Sequence, residues 1–548
     1  MLEENNHTTD DKSTKIVRIV GLIGGALLAF IVYYALDSHI SHVVEEIPKL
    51  SSLNYSAMPI VAGVSILMGA WWMTEAIDLP ATALLPLVLF SVFGVDKFQS
   101  VSASYASPII FLFMGGFILA LSMQKWNLHT RIALGIILLV GTSPRRLILG
   151  FMIATGFLSM WVSNTATAVM MLPVGMSVLH LVAKLVGTEK EEKIEEPYEE
   201  EITKAHGGML SHVVHKGKDI AQKVQEKTMI YRTNFSICLM LGIAYSASIG
   251  SLGTLIGTPP NALLAGYMKT AFNVEIDFGK WMLFGTPLAF IMLIIAWLLL
   301  TYVIFPLKIK EIPGGKEVVR QELHKLGRLS QAEISVGIIF ILASLGWIFL
   351  GTLLKSYGIK IDKIDSVIAM GVSVLLFILP ANNKGERLID WDTTKKLPWD
   401  VLLLFGGGLA LSAQFSKTGL SLWIGHQVSS FANLPILLII VAVATMVIFL
   451  TEITSNTATA AAFLPVIGGV AMGMGYEGQS SLLFTIPVAL SATCAFMLPV
   501  ATPPNAIAYG SGYVKITDMI KAGLWLNVVG VTLISAFTYT LVSLVFVN

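Results

Sequence analysis

Two short polar motifs, each present twice, are the residues in this 548-residue sequence best suited to chemistry. Ser163-Asn164-Thr165-Ala166-Thr167-Ala168 recurs as Ser455-Asn456-Thr457-Ala458-Thr459-Ala460, 292 residues later. At the same offset Leu172-Pro173-Val174 is answered by Leu464-Pro465-Val466, and Ser159 by Thr451, so a hydroxyl stands five residues before each Asn. Thr258-Pro259-Pro260-Asn261-Ala262 likewise recurs as Thr502-Pro503-Pro504-Asn505-Ala506. An Asn side chain offers a carbonyl oxygen and an amide donor, while Ser and Thr hydroxyls donate or accept. Hard cations take oxygen ligands, including backbone carbonyls freed where a helix unwinds. Carboxylates take amide, hydroxyl and helix N-terminal N–H donors. One Asn can therefore face a cation with its oxygen and a carboxylate with its nitrogen, and two copies suit a substrate with a carboxylate at each end. The Pro-Pro pairs complement this: they break a helix and leave carbonyls without intrahelical partners. Gly257, before the first pair, lets the backbone approach a ligand closely.

A lone Ser-Asn-Thr in an apolar helix is more often helix–helix glue, and a lone Pro-Pro more often a kink. Duplication of both, in one order and in interrupted segments, favours a site. Asn164 and Asn261 are 97 residues apart, Asn456 and Asn505 only 49; the difference is close to the 41 residues of a charged stretch at 188–228. Without that stretch the two halves have nearly equal length. Ala120-Leu121-Ser122 with Gln124 also resembles Ala410-Leu411-Ser412 with Gln414. Repeat-built transporters place their substrate where broken elements of both halves meet.

The elements that must position these motifs are membrane helices. The chain is 55% hydrophobic and 13% charged, with a mean hydropathy of +0.75, whereas soluble domains carry roughly 25% charged residues. Its solvent is mostly lipid. A net charge of +1 supplies no basic face for nucleic acid. Spans of about 20 apolar residues are expected near 17–36, 57–77, 131–156, 230–250, 281–306, 332–354, 364–380, 434–450 and 519–546. Shorter or interrupted segments at 80–94, 108–124, 160–185, 401–416, 456–475 and 482–513 carry the Gly, Pro and Ser/Thr/Asn clusters. Irregular backbone at membrane depth is tolerated only inside protein or along a cavity, so these form the working part. The first apolar run reads as a retained helix. Lys12, Lys15 and Arg18 before it, against Asp37, Glu45 and Glu46 after it, place the N-terminus in the cytoplasm. The basic 307–330 segment reads as a cytoplasmic loop and the Glu-rich 188–228 stretch as a solvated one. Cys238 and Cys494 lie in apolar stretches and read as interior packing.

No ionisable residue lies inside either motif. Glu452, just before the second Ser-Asn-Thr, is the nearest; it reads first as an ion-pair or helix-end residue, second as a coupling or gating acid. Glu75 reads as a helix-end anchor, and Arg145 and Arg146 as an inside-facing turn. Neither metal-ligand spacing among the histidines nor a nucleophile motif is present, so an enzyme has little support.

The pairs SNTATAVMMLPV and TSNTATAAAFLPV, with LGTLIGTPPNA, MLPVATPPNAIAYGSG and WWMTEAIDLPATALLP, resemble the divalent anion/sodium symporter family, which includes sodium–dicarboxylate and citrate carriers. The resemblance runs from about residue 57 to the C-terminus. It implies an all-α polytopic membrane protein of about 11 transmembrane helices plus two re-entrant hairpins, with inverted repeats, scaffold and transport domains, an elevator motion and a homodimer. On that pattern, 1–16 is a cytoplasmic tail, 17–105 and 281–395 are scaffold, 106–280 and 396–515 are transport repeats, and 516–548 is a C-terminal helix. The resemblance assigns Ser163, Asn164, Thr165, Ser455, Asn456 and Thr457 to substrate carboxylates, with Thr258 and Thr502 beside them. It assigns Ser159, Ser163, Asn164 and Gly257 to one sodium site, and Thr451, Thr454, Asn456 and Ala501 to its counterpart. The function expected is sodium-coupled import of C4 dicarboxylates across a bacterial plasma membrane. A sodium-independent dicarboxylate exchanger, a citrate or sulfate carrier of the same fold, and a channel or receptor built on the duplicated motif are the competing readings.

Overall fold

A computed structural model describes residues 3–141, 143–186, 232–307, 315–383, 385–427 and 434–547; the 188–228 stretch lies outside them. Apart from one isolated bridge between Pro380 and Arg387, regular structure among the described residues is helical. Among the described residues nine helices are long and apolar enough to cross a membrane, and four shorter apolar helices accompany them.

The chain opens with α1 (Glu3–Asp37) and α2 (Met58–Thr74), which ends at Glu75 in the left-handed region (φ 46°). The first repeat continues with α3 (Pro108–Lys125), α4 (Leu128–Val140), α5 (Pro144–Ser159), α6 (Asn164–Val186), α7 (Asn234–Ser251), α8 (Pro259–Phe272) and α9 (Phe278–Leu298). After α10 (Gln331–Leu345) and α11 (Ile364–Ile378), the second repeat follows the same plan. Its helices are α12 (Trp399–Thr418), α13 (Leu420–Gln427), α14 (Ile436–Thr451), α15 (Asn456–Gly473), α16 (Leu482–Thr493), α17 (Pro503–Gly510) and α18 (Ile516–Val542). Each repeat thus holds a helix–break–helix hairpin (α5/α6 and α14/α15) and a broken helix (α7/α8 and α16/α17). If Leu79–Val92, α3, the broken α7/α8 and α9 each cross once and the hairpin leaves on the side it enters, four crossings lie between α2 and α10, so these two run in opposite directions and the repeats are inverted.

The expected span at 131–156 is two helices. Gly141 adopts φ +109° and Pro144 opens α5, so the chain turns there instead of crossing. Arg145 and Arg146 accordingly sit in the first turn of α5, and the Arg145 guanidinium stacks over Tyr302 at 4.1 Å. The 307–330 loop contains a helix of its own, Gly315–Lys325.

Burial separates core from periphery. Only 17% of the best window of the first span is buried, against 94% of that in α7. Lipid therefore solvates the Ile16–Asp37 part of α1, while α7 stands in the protein interior, where its Ser246, Ser248 and Ser251 are fully buried. Both cysteines are free and buried, as expected.

The two repeats interlock by exchange. Gly115 of α3 lies so close to α11 that a Cβ there would be 2.6 Å from the Ala369 carbonyl; Gly407 of α12 meets Ala83 at 2.4 Å in the same sense. Lys125, at the end of α3, pairs with Asp390 of the second half at 2.5 Å, and Lys417, at the end of α12, pairs with Asp96 of the first at 2.6 Å. The left-handed joints that follow, Asn127 (φ 56°) and Gly419 (φ 79°), are again 292 residues apart. The structural register at this helix is therefore 292, two residues from the one that Ala120-Leu121-Ser122 suggests.

Candidate functional site

Four helices begin at the motifs and four end just before them. α6 starts at Asn164, α8 at Pro259, α15 at Asn456 and α17 at Pro503, while α5, α7, α14 and α16 stop at Ser159, Ser251, Thr451 and Thr493. Helix starts present unpaired N–H groups and positive dipole ends; helix stops present unpaired carbonyls and negative ones. The first set suits carboxylates and the second suits cations. The segments after the Pro-Pro breaks also change partners: α8 of the first repeat packs on α15 and α16 of the second, and α17 of the second packs on α6 and α7 of the first. Both motif sets are gathered into one region by that exchange.

The hydroxyl five residues before each Asn reaches it. Ser159 Oγ is 3.1 Å from Asn164 Oδ1 and 2.5 Å from the Ala247 carbonyl of α7. Thr451 Oγ1 is 2.8 Å from Asn456 Oδ1 and 2.9 Å from the Ala492 carbonyl of α16. A hydroxyl has one proton to donate, yet each faces two acceptor oxygens. Three converging oxygens share a single hydrogen, an arrangement that a hard cation would complete. Ser159 and Thr451 are fully buried, whereas Ser163–Thr165 and Thr454–Thr457 at the hairpin tips are half-buried. Each triad thus lies behind an accessible tip.

The remaining expected ligands fall less evenly. Ser163 Oγ accepts from the Ala166 N–H at 3.4 Å and so caps its own helix, while the Ser455 hydroxyl makes no such cap. Thr454 Oγ1 donates to the Leu450 carbonyl at 2.9 Å and lies 2.7 Å from Thr459 Oγ1, so its partners belong to the two arms of the hairpin. Thr258 and Thr502 are almost fully buried. Thr258 Oγ1 meets Thr493 Oγ1 at 3.3 Å across the repeats, and Thr502 Oγ1 accepts from the Asn505 N–H at 3.3 Å. They brace the site from behind the tips. Gly257 is required by a neighbour within the chain: a Cβ there would stand 2.3 Å from the Ser251 carbonyl. Ala501 is buried in the matching loop.

The fourth motif residue braces the unwound loops. Asn261 Nδ2 donates to the Thr254 and Ser251 carbonyls at 2.8 and 3.5 Å, and Asn505 Nδ2 to Leu498 and Ala495, both at 3.1 Å. In each case the acceptors lie seven and ten residues upstream. Both Asn are wholly buried, and in both the Oδ1 atom lacks a hydrogen-bond partner. Their identity in both motif copies was a usable sequence signal. The Ala247 and Ala492 carbonyls carried none, because any residue supplies a carbonyl.

Glu452 is neither an ion-pair residue nor a mere helix end. It is 2% exposed and receives N–H groups from Phe496, Met497 and Leu498 and from the Asn527 amide.

Comparison with known proteins agrees with this architecture. The family model described as the sodium:sulfate symporter transmembrane region matches residues 29–547. The chain is 41% identical over 535 residues, 97% of it and 93% of the relative, to the sodium-dependent dicarboxylate transporter SdcS of Staphylococcus saprophyticus. It is 42% identical over 487 residues, 88% of it and 86% of the relative, to the protein so named in Staphylococcus aureus strain USA300. In fold it is similar to the Alcanivorax borkumensis YdaH transporter (TM-score 0.50, 12% identity, 83% of this chain and 95% of that one). MtrF of Neisseria gonorrhoeae is comparable (TM-score 0.51, 12% identity, 86% and 97%). With a family match over residues 29–547 and a relative 41% identical over 97% of its length, this chain belongs to the sodium:sulfate symporter transmembrane family.

Proposed function

We propose that this protein is a sodium-coupled importer of C4 dicarboxylates such as succinate, fumarate and malate. The observation that carries the reading is the pair of matching oxygen triads, Ser159–Asn164–Ala247 and Thr451–Asn456–Ala492, each behind a half-buried Ser-Asn-Thr helix start. Sodium would bind the triads at the helix stops. The substrate carboxylates would bind the tips Ser163–Thr165 and Ser455–Thr457, one at each, with Thr258 and Thr502 in support. A bound cation would withdraw each Asn oxygen from the substrate and turn its amide nitrogen toward it, which links ion and substrate binding. The relatives named as sodium-dependent dicarboxylate transporters support the same choice of ion and substrate.

The hairpins and broken helices would move as a transport domain against a scaffold of the helices before α3 together with α10 and α11. In place of the sequence expectation, which put 106–280 and 396–515 in the transport repeats and 281–395 in the scaffold, the exchanged α3 and α12 would belong to the scaffold and α9 to the moving part. α9 and α18 pack on α7 and α16 and would travel with them. We further propose a homodimer in the bacterial plasma membrane, with its N-terminus cytoplasmic. If sodium ions outnumber the substrate's charges, import carries net positive charge, and each charge gains about 2.3 kcal/mol per 100 mV of potential.

The test is uptake of labelled succinate into proteoliposomes, with a sodium gradient or potassium in its place, and with or without internal succinate. Sodium-dependent concentrative uptake into empty vesicles is the expected result. Uptake that ignores sodium and demands internal dicarboxylate would make the protein an exchanger at the same site. Uptake of citrate or sulfate alone would move the substrate and leave the ion sites standing.

A further inference from the structure

The two unwound loops occupy equivalent positions and share the carbonyl brace of their motif Asn (Asn261 to Thr254, Asn505 to Leu498), yet their remaining side-chain holds differ. In the first repeat the loop after α7 is gripped through further carbonyls: Trp281 Nε1 donates to Leu252 at 3.1 Å and Thr286 Oγ1 to Gly253 at 3.0 Å. In the second repeat the corresponding residues, Phe496, Met497 and Leu498, are gripped through their N–H groups by one carboxylate. Glu452 Oε1 accepts from Phe496 N at 2.8 Å, Met497 N at 3.0 Å and Asn527 Nδ2 at 2.7 Å. Its Oε2 accepts from Met497 N and Leu498 N, both at 3.1 Å. Every partner is a neutral N–H donor and none is an acceptor, so the cradle fits the acceptor-only carboxylate form and contains no cation to pair with it. Glu452 follows Thr451 directly, and the loop it holds begins four residues after Ala492, so this carboxylate is anchored to both stretches of chain that supply Thr451 and Ala492 to the second triad. The residue 292 positions earlier is Met160, which has no charge; there the Thr254 hydroxyl donates to the Met160 carbonyl instead.

We propose that Glu452 is a positioning residue that makes the cation site of the second repeat the tighter of the two. It does so without touching the ion, by fixing the 494–502 loop and by supplying a buried negative charge that the first site lacks. A cation entering the Thr451 triad gains attraction to that charge in a low-dielectric setting, where a unit charge acts far more strongly than in water. The first triad, built from neutral oxygens, fills second and at higher sodium. This inference rests on the reading that sodium occupies the triads.

Sodium titration of the purified protein without substrate, read as the rise in thermal unfolding temperature with choline as the balancing ion, separates the outcomes. The wild type should show a tight and a weak phase. Glu452→Gln keeps shape and removes the charge, and should raise the half-saturating sodium of the tight phase at least ~tenfold. Asn527→Ala keeps the charge and removes one of its donors, and should shift the same phase by a smaller factor; it decides the matter if the Gln variant does not fold. A structural role alone would lower the unliganded unfolding temperature and leave half-saturation where it was, and that result overturns the inference. A wild type blind to sodium would remove the coupling reading and this inference with it, whereas a responsive wild type with unshifted variants removes only the inference.

Discussion

Phe113 and Phe405, 292 residues apart in the chain, pack edge to face with ring centroids 5.2 Å apart. Residues that correspond by a twofold operation can touch each other only near its axis. The pseudo-twofold axis of the molecule therefore passes between α3 and α12, and Gly115 and Gly407 stand two residues beyond it on each helix. Gly115→Ala or Gly407→Ala would drive a methyl into the backbone of Ala369 or Ala83. Each should destabilise the protein by about 1–3 kcal/mol, as overpacking does, seen as a lower unfolding temperature in detergent with unchanged sodium half-saturation.

Asn164→Ala and Asn456→Ala each remove a group assigned to both ion and substrate. Hydrogen bonds to charged groups are worth about 1.5–3 kcal/mol, so one lost contact lowers uptake efficiency roughly tenfold to a hundredfold, and loss of coupling takes it further. Both variants should insert and fold, since the tips are half-buried and carry no core packing. Normal uptake by both would remove the site assignment.

Ser159→Ala and Thr451→Ala delete the hydroxyl at the centre of each triad and leave its carbonyl and amide oxygens. The expected outcome is a raised half-saturating sodium for uptake with little change at saturating sodium. Thr451→Ser retains the oxygen and should behave close to wild type. Sodium kinetics of succinate uptake distinguish the three.

The reciprocal ion pairs predict a pH window. Burial raises the Asp96 carboxyl, but hydrogen bonds from Lys417, Gln414 and Ser100 outweigh it and bring the pKa down to about 2. The Lys125 ammonium, followed by the Thr393 N–H, brings Asp390 down to about 2 as well. A depressed folded pKa gives stability that is complete above the unfolded value of about 3.9 and is lost as pH falls toward the folded one. Between pH 5 and 8 these pairs should add no pH dependence, and below about pH 4 the unfolding temperature should fall. Lys417 and Asp390 are half-exposed, so solvent screening limits each pair to about 0.5–1 kcal/mol. Asp96→Asn should flatten part of the acid fall. If it leaves the acid limb unchanged, the assignment fails.

Uptake should also weaken as external pH falls, because two tips that each take one carboxylate, as proposed, would favour a dianion. Comparing succinate uptake at pH 8 and pH 5.5 in variants and wild type checks this: the fall follows substrate protonation and should be shared by all of them. A fall seen only in wild type would point to a titrating residue in the protein.

Much of this was legible in the sequence. Low charge and long apolar runs fix a membrane solvent, the Pro-Pro and Ser-Asn-Thr interruptions fix where helices start and stop, and the 292-residue repeat fixes that there are two such places. These are local or compositional properties, and the chain cannot hide them. The oxygen triads were legible in part, since Ser159 and Thr451 keep one spacing from Asn164 and Asn456. Their third members, the Ala247 and Ala492 carbonyls, were decided by packing of α7 and α16 on the hairpins, because backbone oxygens carry no residue code. The turn at Gly141 escaped the apolar count, which does not see a left-handed φ. The exchange of α3 and α12, and the carboxylate cradle of Glu452 across 44 to 75 residues of chain, were likewise decided only by the tertiary structure. A sequence shows which groups need partners; only folding in three dimensions chooses which distant N–H or carbonyl supplies them.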